Sequence, residues 1–106
     1  MANYVFIYSG GSMPATEAEA EAVTKAWADW YGKLGGALVD GGNPFSGQAR
    51  GIASDGTVRA SPVGVPATGY TIIKADSLDA AVGIAKGSPV LASGGQVSVY
   101  ETYEVM

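Results

Sequence analysis

The first strand candidate is apolar on both of its faces. Residues 4–8 read Tyr-Val-Phe-Ile-Tyr, so aromatic and β-branched side chains occupy the odd and the even positions alike. Because a strand points successive side chains to opposite faces, a half-solvated strand alternates apolar with polar residues. This run therefore predicts a central strand with both faces covered, and any fold of the chain has to supply a cover on each side.

Two segments have the pattern of amphipathic helices. Thr16 and Glu19 have the spacing of a capping box, and Gly35 and Gly36 provide a stop after the helix. Apolar residues at helical spacing form one stripe that we expect in the core: Val23, Ala26, Trp27, Trp30, Tyr31 and Leu34. A second, shorter helix is capped by Asp76-Ser77, ends at Gly87, and has the stripe Leu78, Ala81, Val82 and Ala85.

The remaining strand candidates complete a mixed α+β fold. They are residues 37–40, residues 70–75 and the alternating segment 96–104. The segment between the second and third strands is rich in Gly, Ser, Ala and Pro. Within it Asp55-Gly56 indicates a turn between two weak strand candidates, 48–53 and 57–60.

This order of elements contains two split β-α-β halves. Right-handed crossovers in both halves predict a ferredoxin-like β-α-β-β-α-β antiparallel sheet with both helices on one face. At 106 residues the chain is long enough for one such domain, which we assign to residues 1–106.

The second face of the sheet then needs its own cover. Charged residues make up 15% of the chain, against about 25% in an average soluble domain, and 47% are hydrophobic. With no third helix in the pattern, we expect the same face of a second copy to provide the cover, as a homodimer enclosing a cavity. The alternatives are a mildly apolar, wet face and a cover formed by residues 41–68.

Composition also excludes several functions. The chain has no His and no Cys, which excludes disulfides, thiolate nucleophiles, imidazole bases and Cys/His zinc sites. The six Lys and Arg residues are scattered in a chain of net charge -4, so we expect no nucleic-acid partner. No acidic cluster has metal-ligand spacing, and we expect no metal and no cofactor. Without a basic signal region or a long apolar run, we expect no membrane association and a cytoplasmic location.

Two carboxylates are the candidates for acid–base chemistry. Asp40 lies between an apolar strand and Gly41-Gly42, where a pocket wall could desolvate it, although an aspartate there also suits a turn. Glu101 has the strand parity of Val97 and Val99, which points it to the covered face. It then needs a partner or a raised pKa, unless it lies in solvent at the strand end or in a dimer interface.

Aromatic and amide side chains are the candidates for ligand binding. Tyr4, Phe6 and Tyr8 share one face of the first strand, a pattern typical of core packing that also suits a mixed pocket. Asn43 and Phe45 follow the Gly-Gly turn as a possible pocket rim. The other candidates are tyrosines of later strands, Tyr70 and Tyr103.

The segment from Gly69 to Tyr103 resembles the second half of YCII-related (YciI-like, DGPF-type) proteins. The resemblance lies in Gly-Tyr-Thr-Ile-Ile-Lys-Ala-Asp-Ser-Leu-Asp-Ala-Ala-Val, then Ser-Pro-Val-Leu-Ala-Ser-Gly-Gly and Val-Ser-Val-Tyr-Glu, and the first strand and helix also fit. It implies a dimeric α+β barrel of ferredoxin-like subunits. The histidine of the acid–base pair proposed for that family and the Asp-Gly-Pro-Phe signature of one branch are missing here.

Three functions remain open from the sequence. The first is a homodimer that binds a small apolar or aromatic molecule in a sheet-lined cavity. The second is an enzyme of isomerase, lyase or dehalogenase type with Asp40 or Glu101 as general base. The third is a non-catalytic assembly subunit whose cavity is filled by side chains.

Overall fold

The chain forms a four-stranded antiparallel sheet with two α-helices and a separate two-stranded hairpin, in a computed structural model that describes residues 1–105. The elements are β1 (Ala2–Gly10), α1 (Glu17–Leu34), β2 (Leu38–Asp40), β3 (Gly51–Ile52), β4 (Val58–Arg59), β5 (Ala67–Ala75), α2 (Leu78–Ala85) and β6 (Gly95–Glu101). Short 3-10 turns at Gly35–Ala37 and Pro89–Ser93 precede β2 and β6.

Strand β1 lies in the middle of the sheet, as its apolar character predicts. The strand order is β2-β5-β1-β6, and every neighbouring pair is antiparallel. The crossover helices therefore connect parallel strands, α1 from β1 to β2 and α2 from β5 to β6. This is the ferredoxin-like topology, and the predicted α+β fold class is confirmed.

Both helices pack on the same face of the sheet, and the core lies beneath them. Phe6 is completely buried and stacks against Trp30 of α1, with ring centroids 6.3 Å apart. Ala81 and Ala85 of α2 belong to the same buried cluster. Each large aromatic ring removes roughly 150–250 Å² from water, so these contacts dominate the apolar burial of this small domain.

Helix α1 is capped as predicted but only partly buried. The Thr16 hydroxyl accepts a hydrogen bond of 3.1 Å from the Glu19 amide. The predicted core stripe is wrong at its first two positions, because Val23 and Ala26 are exposed. Trp27 and Trp30 in the second half of the helix make the contacts with β1, whereas the first half lies away from the buried core.

The segment between β2 and β5 forms a hairpin around the predicted Asp55-Gly56 turn, but its strands are only two residues long. These strands pair with each other and with no strand of the main sheet among the described residues. Ile52 and Val58 stay 65% and 63% exposed. The apolar side chains of the hairpin therefore face solvent and do not pack on the sheet.

The last strand is shorter than predicted. Residues 96–104 were expected to form it, but β6 ends at Glu101, and Tyr103 lies beyond it with 81% of its surface exposed. The apolar alternation of Tyr103 and Val105 continues the strand pattern in the sequence. Both residues lie beyond Glu101, the last residue of β6 that pairs with β1, where it faces Tyr4.

Candidate functional site

The face of the sheet opposite the helices carries mostly apolar and uncharged side chains. Directly paired residues share a face, so the register places Ile7 of β1 beside Tyr70 of β5 and Ser98 of β6 on this open face. Ile7 and Tyr70 are half-buried. Among the described residues of β1, β5 and β6, Lys74 is the one charged side chain that the register places on this face.

Asp40 and Tyr70 meet at one end of this open face. The Tyr70 hydroxyl lies 3.3 Å from Asp40 Oδ2, and the Gly42 amide donates a 2.8 Å hydrogen bond to Oδ1. Phe45 stacks against the Tyr70 ring, with centroids 5.9 Å apart and 26° between the ring planes. We call Asp40, Tyr70 and Phe45 the Asp40 site.

The Asp40 site combines an anionic acceptor, a hydroxyl and two aromatic rings. Asp40 is exposed, and Phe45 is 48% exposed, so their polar and apolar surfaces are both accessible. A small molecule with an aromatic body and one hydrogen-bond donor matches these groups, because the rings stack on its body and the carboxylate accepts from its donor.

Three hydroxyl groups on the core side of the sheet, two of them on buried residues, hold the backbone next to Asp40. Tyr31 of α1 and Thr71 of β5 both donate to the Gly41 carbonyl oxygen, at 3.0 Å and 3.1 Å. The buried Tyr8 hydroxyl donates in turn to Thr71 Oγ1 at 2.8 Å. The peptide after Asp40 is therefore fixed from the core side of the sheet.

Gly42 lies two residues after the end of β2, where the chain turns along β5. Its φ is +70°, and a Cβ added there would collide with the carbonyl oxygen of Tyr70. Only glycine fits this close approach without moving the backbone. Of the Gly-Gly pair after Asp40, Gly42 is thus required by the geometry of the Asp40 site.

Phe45 is held in place by backbone contacts to β5. Its amide donates to the Thr68 carbonyl oxygen at 2.8 Å, and Pro44 forms an isolated bridge with Gly69. Asn43, predicted as part of a pocket rim, lies in this same connection with an exposed side chain. The connection places Phe45 over Tyr70 and leaves Asn43 at its margin.

Glu101 lies on the opposite face of the sheet from Asp40. Its Oε1 accepts a 2.8 Å hydrogen bond from the hydroxyl of Tyr4, its direct partner on β1. Burial, followed by this hydrogen bond and the negative charge of Glu101, raises the pKa of Tyr4 above its ordinary value. The carboxylate itself is exposed at the end of β6. The two candidate carboxylates, Asp40 and Glu101, therefore lie on opposite faces of the sheet and do not form one site.

The three aromatic residues of β1 are part of the core. Tyr4, Phe6 and Tyr8 are 1%, 0% and 5% exposed, beneath the helices. They do not line the open face, where the cavity was expected. Of the other predicted binding residues, Tyr70 and Phe45 are brought together at the Asp40 site, whereas Tyr103 is not.

Several residues of the open face are not among the binding residues predicted from the sequence. Ile7, Ile72 and Tyr100 share it with Tyr70, and their signal is strand parity: Ile7 and Ile72 alternate with buried residues, and Tyr100 follows the half-buried Val99. Tyr31 was assigned to the helix core and also reaches Gly41, ten positions later. No local sequence signal predicts that contact, because it depends on how α1 lies across the sheet.

Two shallow grooves lie beside α2. One, of about 340 Å³, is lined by α2 and β6, and the other, of about 380 Å³, by residues that include Met1 and Lys74. Neither groove includes Asp40 or Tyr70, and Asp40 is exposed in the single chain. Within residues 1–105, no group of three or more acidic side chains is arranged to hold a metal ion. No helix in that range is long and apolar enough to cross a membrane.

No protein-family model matches this chain, and no curated protein matches it in sequence.

Proposed function

We propose that the chain forms a homodimer whose open sheet faces pack against each other and enclose a small apolar or aromatic molecule beside Asp40. The observation that carries this proposal is the Asp40 site: a carboxylate and a hydroxyl 3.3 Å apart, beside a stacked Phe45, on a face with few charges. A second sheet laid about 10 Å away would turn this open surface into a cavity.

The apolar residues of the open face favour a cover formed by protein rather than by water. Ile7 and Ile72 lie at the centre of the open face, and the apolar hairpin side chains Ile52 and Val58 are exposed to solvent. Burying such residues is worth about 25 cal/mol per Å², which favours association of two like faces. Membership of the YCII-related family belongs to the same proposal, since the ferredoxin-like topology is the subunit fold that the resemblance implies.

Light scattering of the purified chain tests the dimer. We expect a dimer for the parent protein and a shift to smaller mass for Ile72→Lys, which places a charge in the middle of the proposed interface. Ile52→Lys is the matched control, because Ile52 is 65% exposed on the hairpin and the same substitution there leaves the mass unchanged. A parent protein that is monomeric at micromolar concentration contradicts the proposal.

Binding of phenol and toluene tests the role of Asp40. Both are small aromatic molecules, but only phenol donates a hydrogen bond. We expect Asp40→Asn to weaken phenol binding about tenfold, as for loss of a charged acceptor, and to leave toluene binding unchanged. Asp55→Asn, at the exposed hairpin turn, is the control for loss of one negative charge. Chemical-shift titration measures the affinities. Equal phenol affinity of the parent and Asp40→Asn contradicts the role of Asp40 in ligand binding.

A second candidate is an enzyme in which Asp40 is the general base and Tyr70 the proton donor. The contact between the Tyr70 hydroxyl and Asp40 Oδ2 favours it, because an acid–base pair needs hydrogen-bond reach. In a metabolite panel, turnover that is lost in Asp40→Asn and retained in Glu101→Gln supports this candidate. Turnover that is unchanged in both variants eliminates it. A third possibility, an assembly subunit, predicts an interface filled by side chains that binds neither probe.

A further inference from the structure

Strand β6 is a long sheet edge that is open for pairing. It spans seven residues at the end of the strand order, and its outer side pairs with no other strand among residues 1–105. Its register with β1 is continuous, and it contains no Pro and no Lys, the residues that commonly protect an edge. A regular edge of this kind presents a row of free backbone donors and acceptors.

The backbone geometry identifies which groups are free. The Thr102 amide donates to the carbonyl oxygen of Asn3, the residue directly opposite it, at 2.9 Å. Backbone hydrogen bonds alternate along an antiparallel pair, so Gln96, Ser98 and Tyr100 also point their amides at β1. The outward-facing amides and carbonyls therefore belong to Gly95, Val97, Val99 and Glu101.

The sequence of β6 is complementary to itself in one antiparallel register. With a two-fold axis at Ser98, Val97 of one copy lies opposite Val99 of the other, and Ser98 opposite Ser98. Like surfaces then meet on both faces, valine with valine on the helix side and hydroxyl with hydroxyl on the open side. The same register uses all four outward-facing residues in hydrogen-bonded pairs.

An apolar groove continues this match on the helix side. It has a volume of about 340 Å³ and is lined by Leu78, Val82, Leu91, Val97 and Val99, with Lys86. Leu78 and Leu91 are 48% and 41% exposed in the single chain. A second copy paired at Val97 and Val99 extends the groove into a continuous apolar surface shared by the two α2 helices.

The charges at the ends of the strand are also complementary. Helix α2 runs opposite to β6, because it connects the parallel strands β5 and β6, so Lys86 lies towards the Gly95 end. In the register centred on Ser98, Glu101 of the second copy lies opposite Gly95. Each end of the paired strands therefore brings together a lysine and a glutamate from different copies.

We propose that β6 pairs with β6 of a second copy in this antiparallel register and forms a continuous eight-stranded sheet with all four α-helices on one side. This interface is separate from the open face, so the two interfaces together build a tetramer. Its occupant is another copy of the chain, because the match of apolar pairs, hydroxyls and charges is a match of the strand with itself.

Disulfide cross-linking tests the register directly, since the chain has no cysteine of its own. Ser98→Cys places two thiols in a non-hydrogen-bonded antiparallel pair, with Cα atoms about 4.5 Å apart, within the range that a disulfide spans. Gln96→Cys, on the same strand and face, is the matched control, because its two thiols lie two residues on either side of the axis. We expect the Ser98→Cys dimer to form at least about tenfold faster under mild oxidation.

Equal cross-linking rates for the two variants overturn the proposal, and so does the absence of a cross-linked dimer. Face-to-face packing does not imitate the expected result, because stacked sheets lie about 10 Å apart, beyond disulfide reach. Combining Ser98→Cys with Ile72→Lys separates the two interfaces. Cross-linking that persists in the double variant shows that β6 pairing is independent of the open face, and cross-linking that disappears overturns it.

Discussion

The buried hydroxyl of Tyr8 donates a hydrogen bond of 2.8 Å to the hydroxyl of Thr71, which in turn donates one of 3.1 Å to the carbonyl oxygen of Gly41. Thr71 is fully buried. These two hydrogen bonds run across the strands on the core side of the sheet, from β1 through β5 to the peptide that follows Asp40. Every buried side-chain polar atom among the described residues has a hydrogen-bond partner, so a break in the chain leaves an unpaired group in the core.

Removing the Thr71 hydroxyl should destabilise the protein more than removing the Tyr8 hydroxyl. We expect Thr71→Val to cost about 1–3 kcal/mol, because it leaves the buried Tyr8 hydroxyl without a partner. Tyr8→Phe should cost about 0.5–1.5 kcal/mol, since Thr71 keeps its bond to Gly41. Urea unfolding of both variants measures the difference.

The double variant provides the control for this pair. Once Tyr8→Phe has removed the donor, Thr71→Val strands no hydroxyl, so the double variant should cost less than the sum of the single variants. Strictly additive costs contradict the proposed hydrogen-bond chain.

Stability at high pH should also depend on Tyr8. Burial raises the pKa of Tyr8 to about 12 from an ordinary value of 10.0, and the bond to Thr71 offsets only part of this effect. The folded state therefore holds this proton more tightly than the unfolded state. The contribution to stability is complete below pH 10 and is lost as the pH rises from 10 to 12.

Unfolding curves at a series of alkaline pH values measure this contribution. The free energy of unfolding should fall less steeply with pH in Tyr8→Phe than in the parent. Tyr4, whose pKa is also raised, remains in the variant and supplies the residual slope. Identical slopes in the two proteins contradict a buried, neutral Tyr8.

The fold could be predicted from the sequence because its signals are local and repeated. The apolar run of residues 4–8, the Thr16 and Ser77 caps and the Asp55-Gly56 turn each determine an element through neighbouring residues. Their order then allows few topologies. The α1 stripe failed at Val23 because helical periodicity shows which side of a helix is apolar, whereas burial depends on how far the sheet extends beneath it.

The candidate site was only partly predictable for the same reason. Asp40 and Tyr70 were each identified, but their contact depends on the irregular pairing of β2 with β5, where Asp40 is brought opposite Ile72. The parity of Tyr4 and Glu101 predicted that they lie on particular faces. It did not predict that they bond each other, because that requires the pairing of the first strand with the last.

Glycine at position 42 should be more sensitive to substitution than glycine at position 47. Both have positive φ values, +70° and +94°, so alanine is strained at each. Only at Gly42 does the added Cβ also meet the Tyr70 carbonyl oxygen, while at Gly47 the space is open. We expect Gly47→Ala to cost about 1–2 kcal/mol and Gly42→Ala at least about 3 kcal/mol.

Thermal unfolding of both variants measures this difference. Since both variants carry the backbone strain of a positive φ, the extra loss in Gly42→Ala reports the contact of the added Cβ with Tyr70. Gly42→Ala should also weaken phenol binding, because the shifted backbone moves the amide that donates to Asp40. Equal losses of stability in the two variants contradict the tight contact between β5 and the turn after β2.

Because α1 is only partly buried, substitutions in its two halves should differ in their effect on stability. Trp30 is 6% exposed and packs on Phe6, whereas Val23 of the same apolar stripe is 40% exposed. Trp30→Ala should cost about 3–5 kcal/mol through the lost burial and the cavity it leaves, and Val23→Ala well under about 1 kcal/mol. Urea unfolding at a protein concentration where the chain is monomeric measures both. If Val23→Ala approaches the cost of Trp30→Ala under these conditions, the first half of α1 is buried within the single chain, which contradicts the exposure of Val23.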